Sequence, residues 1–547
     1  MRAHVSPPAV VLVAIVFLLA PGSGFPSSDS LVDQQPEVRG PGRIRFEVDA
    51  QVVDRLFRSR SARVVGFPLP GGLWVDLEVA SSDVVHAGTR FAVAGPDGIH
   101  EAEGPSARFF RGGVAGDPES LVSLNLIDGH LAGFVRTAGS EYSFGPSSFA
   151  PGGPMPRRVE VIEDSVESGS AGTCDGEVHP SSAGLGMNDS KSLGEDAAAM
   201  QYAVGPGTSL VAEVAVEGTV EWVARHGGAA AAAAYTLNLM AQVSAIYEND
   251  VNVQIQIPYI LMNAAEPDGY SGGSSDTSTH LSELRAKWNG TPSLRGVFRS
   301  AVHLLGTYPS GGKGRAYIDV LCDGVPANAT SHDFGVTLLQ GAGGTWERRL
   351  VAHELGHNFS SPHTHCYTPE IDRCDNAEAG CYSGPVVQTT GTVMSYCDTR
   401  LSVFHQRVID EALRPAAEAA YPACMGTVAG LPGGLGLDPG SALHVRQGVS
   451  PGSVVLSWGV PCNDATVPNQ DYAIYQGTLG SWSTLTSLTC STGHANSWVV
   501  NAPGANRFWL VVPQTSSSEG SYGLSSFGER PQAASPCRPQ AIGACEQ

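Results

Sequence analysis

Between Arg43 and Phe149 the apolar positions come in short runs broken by Gly, Pro and Asp, and several runs alternate with polar residues. Leu73–Val79 alternates, and Leu121–Leu126 leads into Asp128-Gly129 before Leu131–Val135. An Asp-Gly pair between two such runs is a two-residue hairpin signal, so an antiparallel β domain is expected over 25–150. From Pro151 to Gly207 the periodicity disappears among Gly, Ser, Pro and acidic residues, which predicts an exposed linker open to proteolysis. The next block, 208–427, alternates strand and helix patterns. Ser209–Val216 reads as a strand, and one helix is expected from Trp222 through Ala229–Ala234 to Tyr247. Val251–Ile257 alternates cleanly and predicts a strand with one solvated face. Leu281–Trp288 and Arg348–Phe359 read as helices, Gly296–Leu305 and Ala316–Cys322 as strands, and Val403–Ala419 as an amphipathic helix. A Gly/Pro/Leu linker over 428–442 precedes short aromatic-rich strands in 443–547, at Val454–Trp458, Asp471–Tyr475 and Phe508–Pro513. That spacing predicts an all-β sandwich.

The first 24 residues have the form of an export signal: Arg2 and His4, an apolar run Ala9–Ala20, then Gly22, Ser23 and Gly24. The alternative is a buried N-terminal strand or helix. No later run approaches the ~20 apolar residues of a membrane helix, so a secreted, extracellular protein without a membrane span is expected. The formal charge of −21 would repel a phosphate backbone, which argues against nucleic acid as a partner. Eleven cysteines in an exported chain imply disulfides, and the odd number leaves one over. Cys174 stands alone, and the other ten fall into a group of six (Cys322 to Cys424) and a group of four (Cys462 to Cys545). Pairing within each group is expected.

The chemistry concentrates in His353-Glu354-Leu355-Gly356-His357-Asn358-Phe359-Ser360-Ser361-Pro362-His363. Residues four apart share a helix face, so His353 and His357 can point both imidazoles at one ion. Glu354 lies beside them, placed to take a proton from water. A third imidazole from His363 gives an all-nitrogen set that favours one catalytic Zn2+ and leaves a fourth position open. His365 has the spacing of a backup third ligand. Met394 follows in Val393-Met394-Ser395-Tyr396.

These residues resemble the metzincin zinc proteases, whose long motif runs His-Glu-x-x-His-x-x-Gly-x-x-His and is followed by a methionine turn. The wording looks most like the adamalysin/reprolysin branch, including its bacterial members. The resemblance implies an α/β (α+β) catalytic domain in which His353, His357 and His363 bind zinc, Glu354 is the general base and Met394 floors the site. It also implies that Ala301–Gly306 and Gly314–Ile318 belong to an edge-strand region that receives an extended substrate, with His303 structural. The chain departs from the motif at Ser360, where the family has Gly for a left-handed exit from the helix; Ser can adopt it at about 1 kcal/mol. Calcium has only Glu213 in its favour. Cys322–Cys424 is the expected pair at the edge-strand region, with the remaining four of its group closing the loop after His363.

Arg111–Ser120, running on to Gly133-Phe134-Val135, resembles a reprolysin-type propeptide, and the tail resembles a fibronectin type III-like domain. Cys174 is then a candidate cysteine switch, its thiolate filling the open zinc position until cleavage within Pro180–Gly207. A surface thiol or an intermolecular disulfide is the alternative. Protein or peptide substrates are the expected partners. The expected function is a latent, secreted metalloendopeptidase. The alternative is a non-catalytic extracellular binding or adhesion protein that retains the fold.

Overall fold

The structure, a computed structural model, describes residues 35–149, 158–164, 173–174, 210–427, 443–447, 453–459 and 471–540, short gaps inside these ranges aside. The proposed signal, most of the linker before 208, the linker 428–442, Cys462 and Cys545 lie outside the described residues.

The N-terminal part is a nine-stranded antiparallel sheet. Its order is Glu37–Gly40, Arg43–Glu47, Arg158–Glu163, Glu141–Gly145, His130–Arg136, Asp117–Ile127, Ala107–Val114, Leu73–Ser82 and Ser61–Leu69. Asp128 (φ 49°) and Gly129 (φ 79°) make the tight hairpin that their sequence predicts. Period-2 alternation splits the long strand Asp117–Ile127 between two cores. Val122, Leu124 and Leu126 pack with Val52, Val53 and Leu56 of the helix Ala50–Arg58, whose N-cap Asp49 accepts from the Gln51 N–H. Leu121 and Ile127 point the opposite way, into the core of the following domain.

That domain carries a mixed sheet in the order Thr173–Cys174, Gly312–Ala316, Phe334–Leu339, Ala301–Thr307, Leu210–Gly218, Tyr259–Asn263, Arg90–Gly95 and Gly98–Ala102. The four central strands are parallel; Gly312–Ala316 runs antiparallel to Phe334–Leu339. Both ends are closed by chain from the N-terminal third. The hairpin Arg90–Ala102 joins Tyr259–Asn263 in parallel, and Thr173-Cys174 joins Lys313-Gly314 in parallel.

Several local expectations are corrected. The single helix is two, Val220–His226 and Ala229–Val251, because Gly227 (φ 85°) and Gly228 (φ 128°) leave helical space together. The second has the length and mean hydropathy (1.3) of a membrane span, contrary to the reading that no such run exists, yet 83% of that stretch is buried in the protein. The polar face of the strand Val253–Gln256 is only partly solvated: Gln256 is half-buried, while Gln254 is buried and donates to Ser82 Oγ of the N-terminal sheet at 3.3 Å. The strand expected at Ala316–Cys322 is Gly312–Ala316, since Asp319 (φ 57°) and Cys322 (φ 66°) turn the chain. The final helix is interrupted by a π-turn, Ile409–Leu413, just before Pro415, which lacks an N–H to continue an α-helical ladder.

The described residues from 443 on form two three-stranded antiparallel sheets, His444–Gln447/Val454–Ser457/Ser497–Val500 and Ser481–Thr489/Asp471–Thr478/Arg507–Gln514, and a short two-stranded one, Leu524–Ser525/Gly528–Glu529. Leu456 and Val500 from the first share a core with Tyr472, Ile474 and Val511 from the second. The disulfides Cys322–Cys424, Cys366–Cys381, Cys374–Cys397 and Cys490–Cys537 all pair within the expected groups.

Candidate metal centre

The helix Thr345–Asn358 lies under the edge strand Gly312–Ala316 and carries His353, Glu354 and His357. It stops at Phe359, and Ser360 takes φ 76°, the left-handed conformation that the motif normally gives to Gly. Ser360 Oγ donates to Asp319 Oδ1, which offsets the backbone cost, and the Ser361 N–H returns to Gly356 O at 3.0 Å. The chain thereby turns back and brings His363 to the first two histidines.

The three rings lie with centroids 4.6–5.1 Å apart, and His357 and His363 are fully buried. Each ring turns its Nδ1 outward to an oxygen: His353 to Val393 O (2.6 Å), His357 to Ser361 O (2.8 Å) and His363 to Glu378 Oε2 (2.8 Å). A carbonyl can only accept, so for His353 and His357 the proton sits on Nδ1 and the Nε2 lone pair faces inward. Nε2 of His353 and of His357 stand 3.2 Å apart. Burial, then the charges of His357 and His363, push the His353 pKa well below the ordinary range, so this ring is neutral, the form that ligates metal. One imidazole from each of the three residues converges within 4.8 Å, a donor set that fits a tetrahedral metal with one position open. Two neighbouring groups of metal-ligand residue types include Cys366, or Cys374 and Cys397, whose sulfurs are committed to disulfides.

Glu354 is buried beneath the edge strand. A Cβ at Gly314 would stand 2.1 Å from Glu354 Oε1, so only glycine at 314 leaves the carboxylate its place. The backbone of Cys174 pairs with that same Gly314. Met394 lies below, fully buried, its sulfur 2.4 Å from where a Cβ at Gly356 would be; Gly356 is the gap into which the methionine packs. The Thr364 N–H donates to Met394 O at 3.0 Å, fastening the methionine turn to the residue after His363.

His365 does not join the first two histidines. Its Nε2 bonds Glu378 Oε2 at 2.9 Å, the same oxygen that meets His363 Nδ1, and its ring stacks on that of His363. Glu378 was not legible in advance, since it is one of several acids in the loop and nothing in its spacing separates it from Asp372 or Asp375. Burial alone would raise its carboxyl, yet hydrogen bonds from His363 and His365 hold it well below the usual range. His303 is structural: buried, bonded to Thr337 Oγ1 at 2.8 Å, and pushed by burial down to about 3. Glu213 lies 3.6 Å from His86 Nε2 and belongs to no metal-ligand cluster among the described residues, so calcium gains no support.

No curated protein matches the chain. Among solved structures, metalloproteinase-II from Bacteroides fragilis overlaps at a TM-score of 0.35 and 10% identity, covering 59% of this chain and 86% of that one. A chaperone–substrate complex overlaps at 0.23 and 15% identity, covering 38% and 35%. Neither overlap is close enough to carry weight. The sequence of residues 208–404, which holds all three converging histidines, Glu354 and Met394, matches the reprolysin-type model of metallo-peptidase family M12, and through that segment the chain is similar to zinc metalloproteases.

Proposed function

We propose that this protein is a secreted zinc metalloendopeptidase of the metzincin kind, made as a latent precursor. The observation that carries the reading is the convergence of three imidazoles beside Glu354, directly under an edge strand. His353, His357 and His363 would hold the ion, with Met394 as their floor. Zinc in such a set supplies a Lewis acid that polarises a peptide carbonyl and acidifies water. The edge strand Gly312–Ala316 offers unpaired backbone groups to an extended peptide once Thr173-Cys174 is gone, which aligns the scissile amide over the centre. Glu354 takes the proton of the attacking water and delivers it to the leaving amine. Gly314 leaves that carboxylate room to serve both steps.

Latency follows from the strand Thr173–Cys174, which occupies the edge that substrate needs, with the Cys174 thiolate as the blocking ligand. The two C-terminal sheets are a fibronectin type III-like sandwich serving as a spacer or binding module. Casein or gelatin digestion by the processed protein, abolished by a chelator and restored by zinc, tests the reading. Stoichiometric zinc with no cleavage of any protein or peptide would make it a binding protein instead.

A further inference from the structure

The helix Ala229–Val251 is apolar on nearly every side. Such a helix is stable in water only when covered all round. One side packs on the sheet of its own domain, and the other is covered by Asp117–Ile127 and His130–Arg136 of the N-terminal sheet. Leu121, Ile127, Ala132 and Phe134 share one continuous core with Leu237 and Met240. Buried polar pairs lock the same contact. Arg348 on the site helix meets Glu141 at 2.7 Å and Asp164 at 3.0 Å, with both Arg348 and Glu141 fully buried. Arg111 meets Glu248 at 2.6 Å, and Arg136 donates to Ser402 O at 2.7 Å. The hairpin Arg90–Ala102 supplies two strands of the other domain's sheet.

We infer that residues 35–164 are a permanent non-covalent subunit of the catalytic unit, retained after the chain is cut, and that the removable part is only the segment bearing Thr173–Cys174. Departure of the N-terminal sheet would expose a long apolar helix face, open the Tyr259–Asn263 edge and strip Arg348 of two carboxylates in a desolvated site. A consequence, which rests on the latency reading above, is that one cut is not enough. Cut on either side of Cys174 alone, the strand stays tethered to a piece that remains bound, and competes with substrate as an intramolecular ligand.

The test places sites for a sequence-specific protease in the full chain, one within 165–172 and one within 175–209, with a C-terminal tag. After either cut or both, the N-terminal piece should co-elute with the tagged piece in equal amounts on gel filtration. Its separation from a monodisperse, folded catalytic piece overturns the inference, whatever the activity. Phe134→Asp with Glu141→Ala should let the cut piece escape; if that variant does not fold, the cut wild-type chain still decides. Proteolysis should be about tenfold or more higher after both cuts than after either. Equal activity after one cut and two, with the pieces still together, leaves the subunit standing and withdraws the blocking role of Cys174.

Discussion

The two ends of the mixed sheet are closed in unequal ways. At Tyr259–Asn263 five residues, Arg90 to Ala94, pair in register and bring a second strand behind them. At Gly312–Ala316, among the described residues, Thr173 and Cys174 pair with Lys313 and Gly314. An exposed edge invites unwanted partners, so both closures protect; the first is built into the fold, and on the latency reading proposed above the second is the exchangeable one. The exchangeable end is also the one that lies over Glu354 and the three histidines. Stability and access are thus divided between opposite edges of one sheet.

Substitutions at four positions sharpen or break this division. The largest effect should come from the carboxylate under the exchangeable edge: Glu354→Gln should lower proteolysis by ~10²–10⁴-fold while zinc remains near one per chain. Near wild-type cleavage by that variant would remove Glu354 from the mechanism. At the built-in edge, Ala92→Asp buries a carboxylate between paired strands and should cost several kcal/mol of unfolding free energy in urea, with kcat/KM of the folded fraction unchanged. An equal loss of kcat/KM would show that the two edges are not separate. Back at the exchangeable edge, uncut Cys174→Ser precursor should exceed uncut wild type by about tenfold, the loss of ~1.4 kcal/mol of blocking interaction. Equal, negligible rates in both would assign latency to steric cover. The smallest effect belongs to Ser360. Ser360→Gly should change stability by less than about 1 kcal/mol, because the glycine gains backbone freedom and loses the bond to Asp319, whereas Ser360→Ala keeps the strain without the bond and should be the less stable of the two by thermal melting.

The convergence of three histidines beside Glu354 was legible because these residues are local: His353, Glu354 and His357 share one helix, and His363 and Met394 follow at family spacing. The Asp128-Gly129 hairpin was legible for the same reason. What escaped was long-range. Arg348 reads as an ordinary helix cation until Glu141, some two hundred residues earlier, is brought against it. The alternation in Val251–Ile257 marks a polar face correctly, but only the tertiary fold shows that Ser82 meets Gln254 in the middle of that face. The helix break at Gly227-Gly228 is masked in the sequence by an apolar pattern that continues across it, with the two adjacent glycines its one local signal.

The loop between His363 and Tyr396 has a further consequence. Cys366–Cys381 and Cys374–Cys397 interlace, so that one covalent mesh carries Glu378 to the third histidine and ends three residues past Met394. On the proposed reading, the hold on an ion would thereby depend on the oxidation of sulfurs that do not touch it. Reduction of these two disulfides should loosen the third histidine, and chelator competition with and without a thiol reductant measures how strongly.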